Sequence, residues 1–368
     1  MSVVFENMSS NGHEEIVYCS DVNTGLKAII AIHNTTIGPA LGGCRMWNYK
    51  SEEEALNDVL RLSRGMSYKA AIAGLTLGGG KAVIIGDSKM SKNEILFRSF
   101  GRFVQGLSGR YITAEDVGTS VKDMEWVRME TEYVTGLSRA LGGGGDPGPV
   151  TALGTFSGIC ATVKKHLNKD SLNDLKIAVQ GVGHVGYHLT KYLTESGAKV
   201  WVSDLDQSAI KLVVDDFGVK VIDVGDIYDA DVDIYSPCAM GSTLNDQTIP
   251  KLKCSIVAGS ANNQLKNEIK HAQLLKKQDI LYAPDYAINS GGLINCANEI
   301  EGYNRKRAFR QAEGIYDTLM NIYHRAEKDN VTTHEAALKE AKKRIEDISK
   351  LKNIYLSKKN LMGKRDRV

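Results

Sequence analysis

Hydrophobic positions along the chain follow two periods. LKAIIAIHN (26–34) is short and apolar almost throughout, the pattern of a buried strand. SEEEALNDVLRLSRGMSYK (51–69) instead sets Leu56, Val59, Leu60 and Met66 at helical spacing on one face. Ser51 and Glu54 fit a capping box at its start, so Lys69 falls in the last turn. AVIIG (82–86) and RYIT (110–113) read as further strands. Strands alternating with amphipathic helices predict an α/β fold.

The second half has the same alternation with a sharper signature. LKIAVQGVGHVGYHLTKYLTESGAKVWVSDLD (175–206) gives strand, glycine turn, helix and strand in order. Gly181, Gly183 and Gly186 form G-x-G-x-x-G at the strand-to-helix turn. There glycines allow a tight turn, close passage of a pyrophosphate and close helix packing. Gly197 stands where a helix C-cap belongs, and Asp204 ends the second strand, where a carboxylate binds ribose hydroxyls. Asp204 and Asp206 would repel a 2′-phosphate, so NAD is expected rather than NADP. VDIYSPCA, CSIVAGSAN and ILYAPDYA read as later strands of the same sheet, and LGGGGDPGP (141–149) as a hinge or surface loop between domains.

Composition narrows the class. The chain has 368 residues, enough for two domains, with 36 glycines and only six prolines. A net charge of +2 argues against a nucleic-acid binder driven by a strong field. Residues 337–368 hold eleven Lys or Arg against four Asp or Glu, read as a solvated helix and tail, with RNA or subunit binding as the alternative. Six cysteines without a C-x-x-C pair suit free thiols in a reducing compartment. The first fifteen residues show no basic and apolar leader pattern, and no stretch looks able to span a bilayer. A cytoplasmic protein is expected. His184 and His188 are four apart, but no further ligand cluster converges on them, so no metal site is expected.

GLTLGGGKAVIIGD (74–87) invites comparison with a phosphate-binding loop. Such a loop needs a glycine where Leu75 stands and Ser or Thr where Ala82 stands, so that reading fails twice. Lys81 then becomes the candidate: a buried ammonium near another cation releases its proton more readily, which suits acid–base work. Lys69 and Asp116, in TAEDVG, are the candidate partners.

With these residues in view, the chain resembles the superfamily of glutamate, leucine, phenylalanine and valine dehydrogenases, and within it the branch acting on leucine. GPALGGCRMW (38–47), RGMSYKAAIAGLTLGGGKAVI (64–84), AEDVGT (114–119), GVGHVG (181–186), GSANNQL (259–265) and YAPDYAINSGGLIN (282–295) carry the resemblance over nearly the whole chain. It implies an N-terminal α/β substrate and oligomerisation domain (1–140), facing a Rossmann-type, doubly wound NAD-binding domain (141–329) across a cleft. Residues 330–368 would return to the first domain.

The implied reaction is reversible oxidative deamination of an L-amino acid to a 2-oxo acid and ammonia. Lys69 would bind the substrate carboxylate, Lys81 would activate water, and Asp116 would relay protons. The glycines would clear space for the substrate. The amino-acid site would include Leu41, Gly42, Gly43, Met66, Ala114, Asn263, Leu293 and Cys296. The dinucleotide would meet Thr151, Gly181, Val182, Gly183, His184, Val185, Gly186, Asp204, Leu205, Cys238, Ala239, Asn262 and Asn289. Glutamate-specific members have lysine at the place of Leu41, so an apolar Leu41 implies a branched aliphatic substrate. His184 stands where Asn is common, and Asn298 where an acid often stands. The resemblance also implies a homo-oligomer, an octamer being one form, and no nucleic-acid or membrane partner. A valine- or phenylalanine-preferring enzyme and a non-catalytic NAD-binding protein are the alternatives.

Overall fold

The computed structural model describes residues 3–351. They fall into two compact units. The first comprises residues up to Gly145, Cys296–Asn304 and the chain from Ala341; the second comprises Asp146–Asn295 and Arg305–Glu340. The division therefore comes five residues after position 140. Residues 330–340, expected with the first domain, belong to the second unit, and the return begins at Ala341. Most of the basic tail, from residue 352 on, lies outside the described residues.

The first unit is built on a five-stranded sheet in the order β1 (Glu15–Asp21), β2 (Leu26–Asn34), β4 (Gly78–Ile85), β3 (Ala40–Trp47), β5 (Tyr111–Glu115). β3 runs parallel to both β4 and β5, whereas β2 is antiparallel to β1 and β4. Successive strand side chains point to opposite faces, and each face has its own cover. Ile29, Ala31 and Val83 pack with Leu56, Val59 and Leu60 of helix Glu52–Ile72. Ile30, Ala82 and Ile84 pack with Phe97 and Phe100 of helix Glu94–Gly106 and Met124 and Val127 of helix Val121–Arg128.

Helix Glu52–Ile72 starts as the sequence predicts, with Ser51 Oγ accepting from Glu54 N at 3.1 Å. The reciprocal bond differs: Glu54 reaches Lys50 N at 2.7 Å. β4 begins four residues before the apolar run AVIIG and takes the three glycines into the strand.

The second unit has a six-stranded, wholly parallel sheet. Its order is β8 (Lys220–Val221), β7 (Lys199–Ser203), β6 (Lys176–Gln180), β9 (Ile234–Pro237), β10 (Ile256–Val257), β11 (Leu281–Tyr282). This is the doubly wound dinucleotide fold, and the strand order reverses between β6 and β9, where such sheets hold their ligands. Gly197, at φ 82°, follows helix His184–Glu195 as its left-handed terminator. Among the described residues, no helix is long and apolar enough to cross a membrane.

Candidate active site

The first unit sets Leu41, Gly43, Lys81 and Ala114 on the sheet face beneath helix Glu52–Ile72, with Gly42 turned to the opposite face. Leu41 pairs with Gly79 and Arg45 with Val83 across β3 and β4, while Gly43 pairs with Ala114 across β3 and β5. Strand alternation therefore puts Leu41, Gly43, Arg45, Lys81 and Ala114 on one side. Lys81 is 5% exposed, and its Nζ lies 2.8 Å from Asp116 Oδ2, just past the end of β5. Thr119 fixes the turn that carries Asp116: its hydroxyl accepts from Asp116 N at 2.9 Å and donates to Cys44 O at 2.8 Å.

Arg45, which sequence pattern did not single out, shares that carboxylate. Its Nε donates to Asp116 Oδ2 at 3.1 Å and its Nη1 to Asp58 Oδ2 at 2.9 Å. Burial opposes the charged form of Asp116, but Lys81 and Arg45 outweigh it and hold the carboxyl below the ordinary aspartate range. Arg45 is likewise opposed by burial and held charged by Asp116 and Asp58.

The glycines next to Lys81 do not open a cavity. A Cβ on Gly79 would stand 2.0 Å from Ser67 N, one on Gly78 2.0 Å from Asn34 O, and one on Gly80 2.8 Å from the Tyr111 ring. Their missing side chains admit the helix backbone, a neighbouring strand end and a core tyrosine, which corrects the expectation that they clear space for substrate. Gly43 acts differently: a Cβ there would meet Glu115 O at 2.5 Å and Asp116 Cβ at 2.9 Å, so glycine lets Asp116 approach. Gly42 would meet Gly80 O at 1.8 Å.

Lys69 and Met66 are half-buried on helix Glu52–Ile72, and Leu41 and Ala114 are buried below. Burial pushes the Cys296 thiol up to about 12, with Glu299, Glu115 and Lys69 as its charged neighbours. The fold thus brings Cys296 to Lys69 from more than 200 residues away. One turn on, Glu299 accepts backbone bonds from Gly136 at 2.9 Å, Leu137 at 3.3 Å and Gly144 at 2.8 Å. No local signal links Glu299 to Gly136, Leu137 and Gly144, because they are 155 to 163 residues apart.

In the second unit the three motif glycines have three different surroundings. Gly181, at φ 97°, lies so close to Ala239 that a Cβ would meet its nitrogen at 2.7 Å. A Cβ on Gly186 would stand 1.9 Å from Gly181 O. On Gly183 it would meet nothing within 4 Å. That opening at the N-terminus of helix His184–Glu195 fits the path of a pyrophosphate. Asp204 Oδ2 accepts from Val182 N at 2.7 Å and its Oδ1 from Asp206 N at 3.0 Å, so the acid is locked against the turn.

Cys238 and Ala239 follow the end of β9, and Leu205 is exposed beyond β7. His184, with its exposed ring 3.5 Å from Asp146, and half-buried Val185 open the helix. Asn289 is buried and donates to Asn262 Oδ1 at 2.7 Å, and Thr151 bonds Pro147 O at 2.9 Å. Asn263, at φ 51°, and buried Leu293 belong to this unit, whereas the other expected amino-acid-site residues belong to the first.

A buried lysine–carboxylate pair and a dinucleotide turn on one chain are the parts of an amino-acid dehydrogenase. The chain belongs to the Glu/Leu/Phe/Val dehydrogenase family. The family's "Glu/Leu/Phe/Val dehydrogenase, dimerisation domain" matches residues 13–133, and its "Glutamate/Leucine/Phenylalanine/Valine dehydrogenase" domain matches residues 203–359. Leucine dehydrogenase of Geobacillus stearothermophilus is 53% identical over 353 residues, which cover 96% of each chain. Phenylalanine dehydrogenase of Thermoactinomyces intermedius is 46% identical over 97% of this chain and 98% of its own. The crystal structure of L-tryptophan dehydrogenase from Nostoc punctiforme superposes with a TM-score of 0.86 at 47% identity, covering 94% of this chain and 100% of that one.

Proposed function

We propose that the protein catalyses the reversible, NAD-dependent oxidative deamination of L-leucine and other branched-chain L-amino acids to 2-oxo acids and ammonia. The buried Lys81–Asp116 pair at 2.8 Å carries the reading, because it couples a proton acceptor to a proton donor at one point. Lys69 stays charged and binds the substrate carboxylate. Asp116 takes a proton from the substrate ammonium, which prepares Cα to lose its hydride. Bound NAD supplies the hydride acceptor. Lys81 passes its proton to solvent and, as the free amine, takes one from the water that attacks the resulting imine to give a carbinolamine. Asp116 returns its proton to the carbinolamine amine, and as this leaves as ammonia the hydroxyl gives its proton to solvent and the carbonyl forms.

Leu41, 1% exposed, sets the side-chain preference. A substrate carboxylate against it would be desolvated without a partner, which is costly. One methylene in such a pocket is worth only about 1–3 kcal/mol, so leucine, isoleucine and valine should all react. Asp204 and Asp206 favour NAD over NADP by charge. We further read the protein as a cytoplasmic homo-oligomer. The family's dimerisation domain and six free thiols suit that reading.

The test is NADH absorbance on adding NAD to the enzyme with a panel of aliphatic and aromatic L-amino acids and L-glutamate. Turnover led by the branched aliphatic substrates is expected. NADH from glutamate alone, or from no amino acid, contradicts the proposal. Turnover led by phenylalanine or tryptophan would move the preference to that of the aromatic-named relatives.

A further inference from the structure

The Lys81–Asp116 pair is one end of a longer chain of alternating charges. Lys81 Nζ and Arg45 Nε both bond the same oxygen, Asp116 Oδ2, at 2.8 and 3.1 Å. Arg45 turns its Nη1 to Asp58 Oδ2 on helix Glu52–Ile72, which also accepts from the Tyr49 hydroxyl at 2.8 Å. Arg61 stands 3.3 Å from Asp58 Oδ1 at the exposed end. The Arg45 and Asp58 side chains are only 19% and 17% exposed, so their charges are poorly screened.

A carboxylate held by one flexible ammonium can swing about its own bonds. A planar guanidinium anchored at its far end removes that freedom, since its donors leave in fixed directions. We propose that Arg45 is a positioning residue for the deamination: anchored by Asp58, which Tyr49 holds in turn, it pins Asp116 Oδ2 so that Asp116 meets the substrate amine ionised and in one orientation. The inference rests on the amino-acid dehydrogenase reading above.

Besides Asp58 and Tyr49, titratable groups from three strands bear on the Asp116 carboxylate among the described residues. Lys81 comes from β4, Arg45 and Cys44 from β3, and Tyr111 from β5. Burial pushes the Cys44 thiol and the Tyr111 phenol well above their ordinary ranges, so both stay neutral. Lys81 and Arg45 hold Asp116 ionised against the cost of its burial, and removing Arg45 takes away one of those two cations. The carboxyl must then hold its proton to higher pH, and activity that needs the carboxylate is lost earlier on the acid side.

The experiment compares full-length wild type, Arg45→Gln and Arg45→Lys. It follows kcat and kcat/KM for L-leucine against pH at saturating NAD, and titrates Asp116 by carbon-13 NMR of protein labelled at the aspartate carboxyls, assigned with Asp116→Asn. For Arg45→Gln the expected result is kcat lower by about 10–100-fold, an acid limb about one pH unit higher and an Asp116 titration raised by a similar amount, with KM for NAD unchanged. Arg45→Lys restores part of both, because it keeps the charge but not the planar fork. An unchanged pH profile and Asp116 titration in Arg45→Gln overturn the proposal, whatever the melting temperature does. If Arg45→Gln does not fold, Asp58→Asn must lower kcat several-fold, and wild-type kcat there overturns it. Wild type inactive on every amino acid sinks the deamination reading instead, while the NMR titration still decides whether Arg45 governs Asp116.

Discussion

The chain has two glycine-rich segments, one in a strand and one in a turn, and they use glycine in opposite ways. In GGGK, residues 78–81, every missing side chain is occupied by protein: a Cβ on Gly79 would sit 2.0 Å from Ser67 N. In GVGHVG, residues 181–186, the outer glycines are equally crowded, but a Cβ on Gly183 would meet nothing within 4 Å. The first segment lets a helix settle on a strand, which buries Lys81 beside it. The second keeps one opening for a ligand's backbone. Counting glycines does not separate these roles, whereas the atoms around each absent Cβ do.

Alanine at Gly79 and at Gly183 should have opposite consequences. Gly79→Ala sets a methyl against a helix backbone that no rotamer can relieve. It should cost more than about 3 kcal/mol, a large share of a total near 5–15 kcal/mol. Urea unfolding of the variant would check this, and a wild-type midpoint would remove the close-packing account. Gly183→Ala should leave the midpoint nearly unchanged yet weaken NAD binding by about 10–100-fold, or about 1.4–2.8 kcal/mol, read by fluorescence titration. Unaltered NAD affinity would mean that the opening is not the pyrophosphate path.

The smallest expected effect concerns the seat of the first segment. His33 Nδ1 lies 2.7 Å from the Ser67 hydroxyl, and His13 Nε2 2.8 Å from that of Ser63. Burial holds both imidazoles neutral, with pKa values lowered from 6.5 to about 4. Above pH 6.5 their contribution is complete. Between 6.5 and about 4 the unfolded chain takes up protons that the folded one refuses, so stability must fall as pH falls. The urea midpoint should drop across that window in wild type and less steeply in His33→Gln. A flat wild-type midpoint would contradict the burial argument.

The dinucleotide half was legible because its parts are consecutive: strand, turn, helix and acid occur within 32 residues, and each has a local signal. β4 was legible only from Ala82 on, since glycine carries no β-propensity and its strand role comes from neighbours in space. β3 has two glycines at its centre and shows no strand pattern for the same reason. Lys81 and Asp116 stood out through the motifs around them. Arg45 and Asp58 did not, because an arginine and an aspartate on different elements look like ordinary surface charges until the fold buries them together. Glu299 needed the whole fold, as its three amide partners lie more than 150 residues upstream.

Lys81→Ala, assayed for NADH formation from L-leucine and for NAD affinity on one preparation, tests the central division of labour. Loss of a positioned acid–base group typically costs about 10²–10⁴ in rate. We expect kcat to fall within that range while the NAD dissociation constant stays at the wild-type value. Wild-type turnover in the variant, or a joint loss of turnover and NAD binding, would contradict the assignment of chemistry to the first glycine segment and dinucleotide binding to the second.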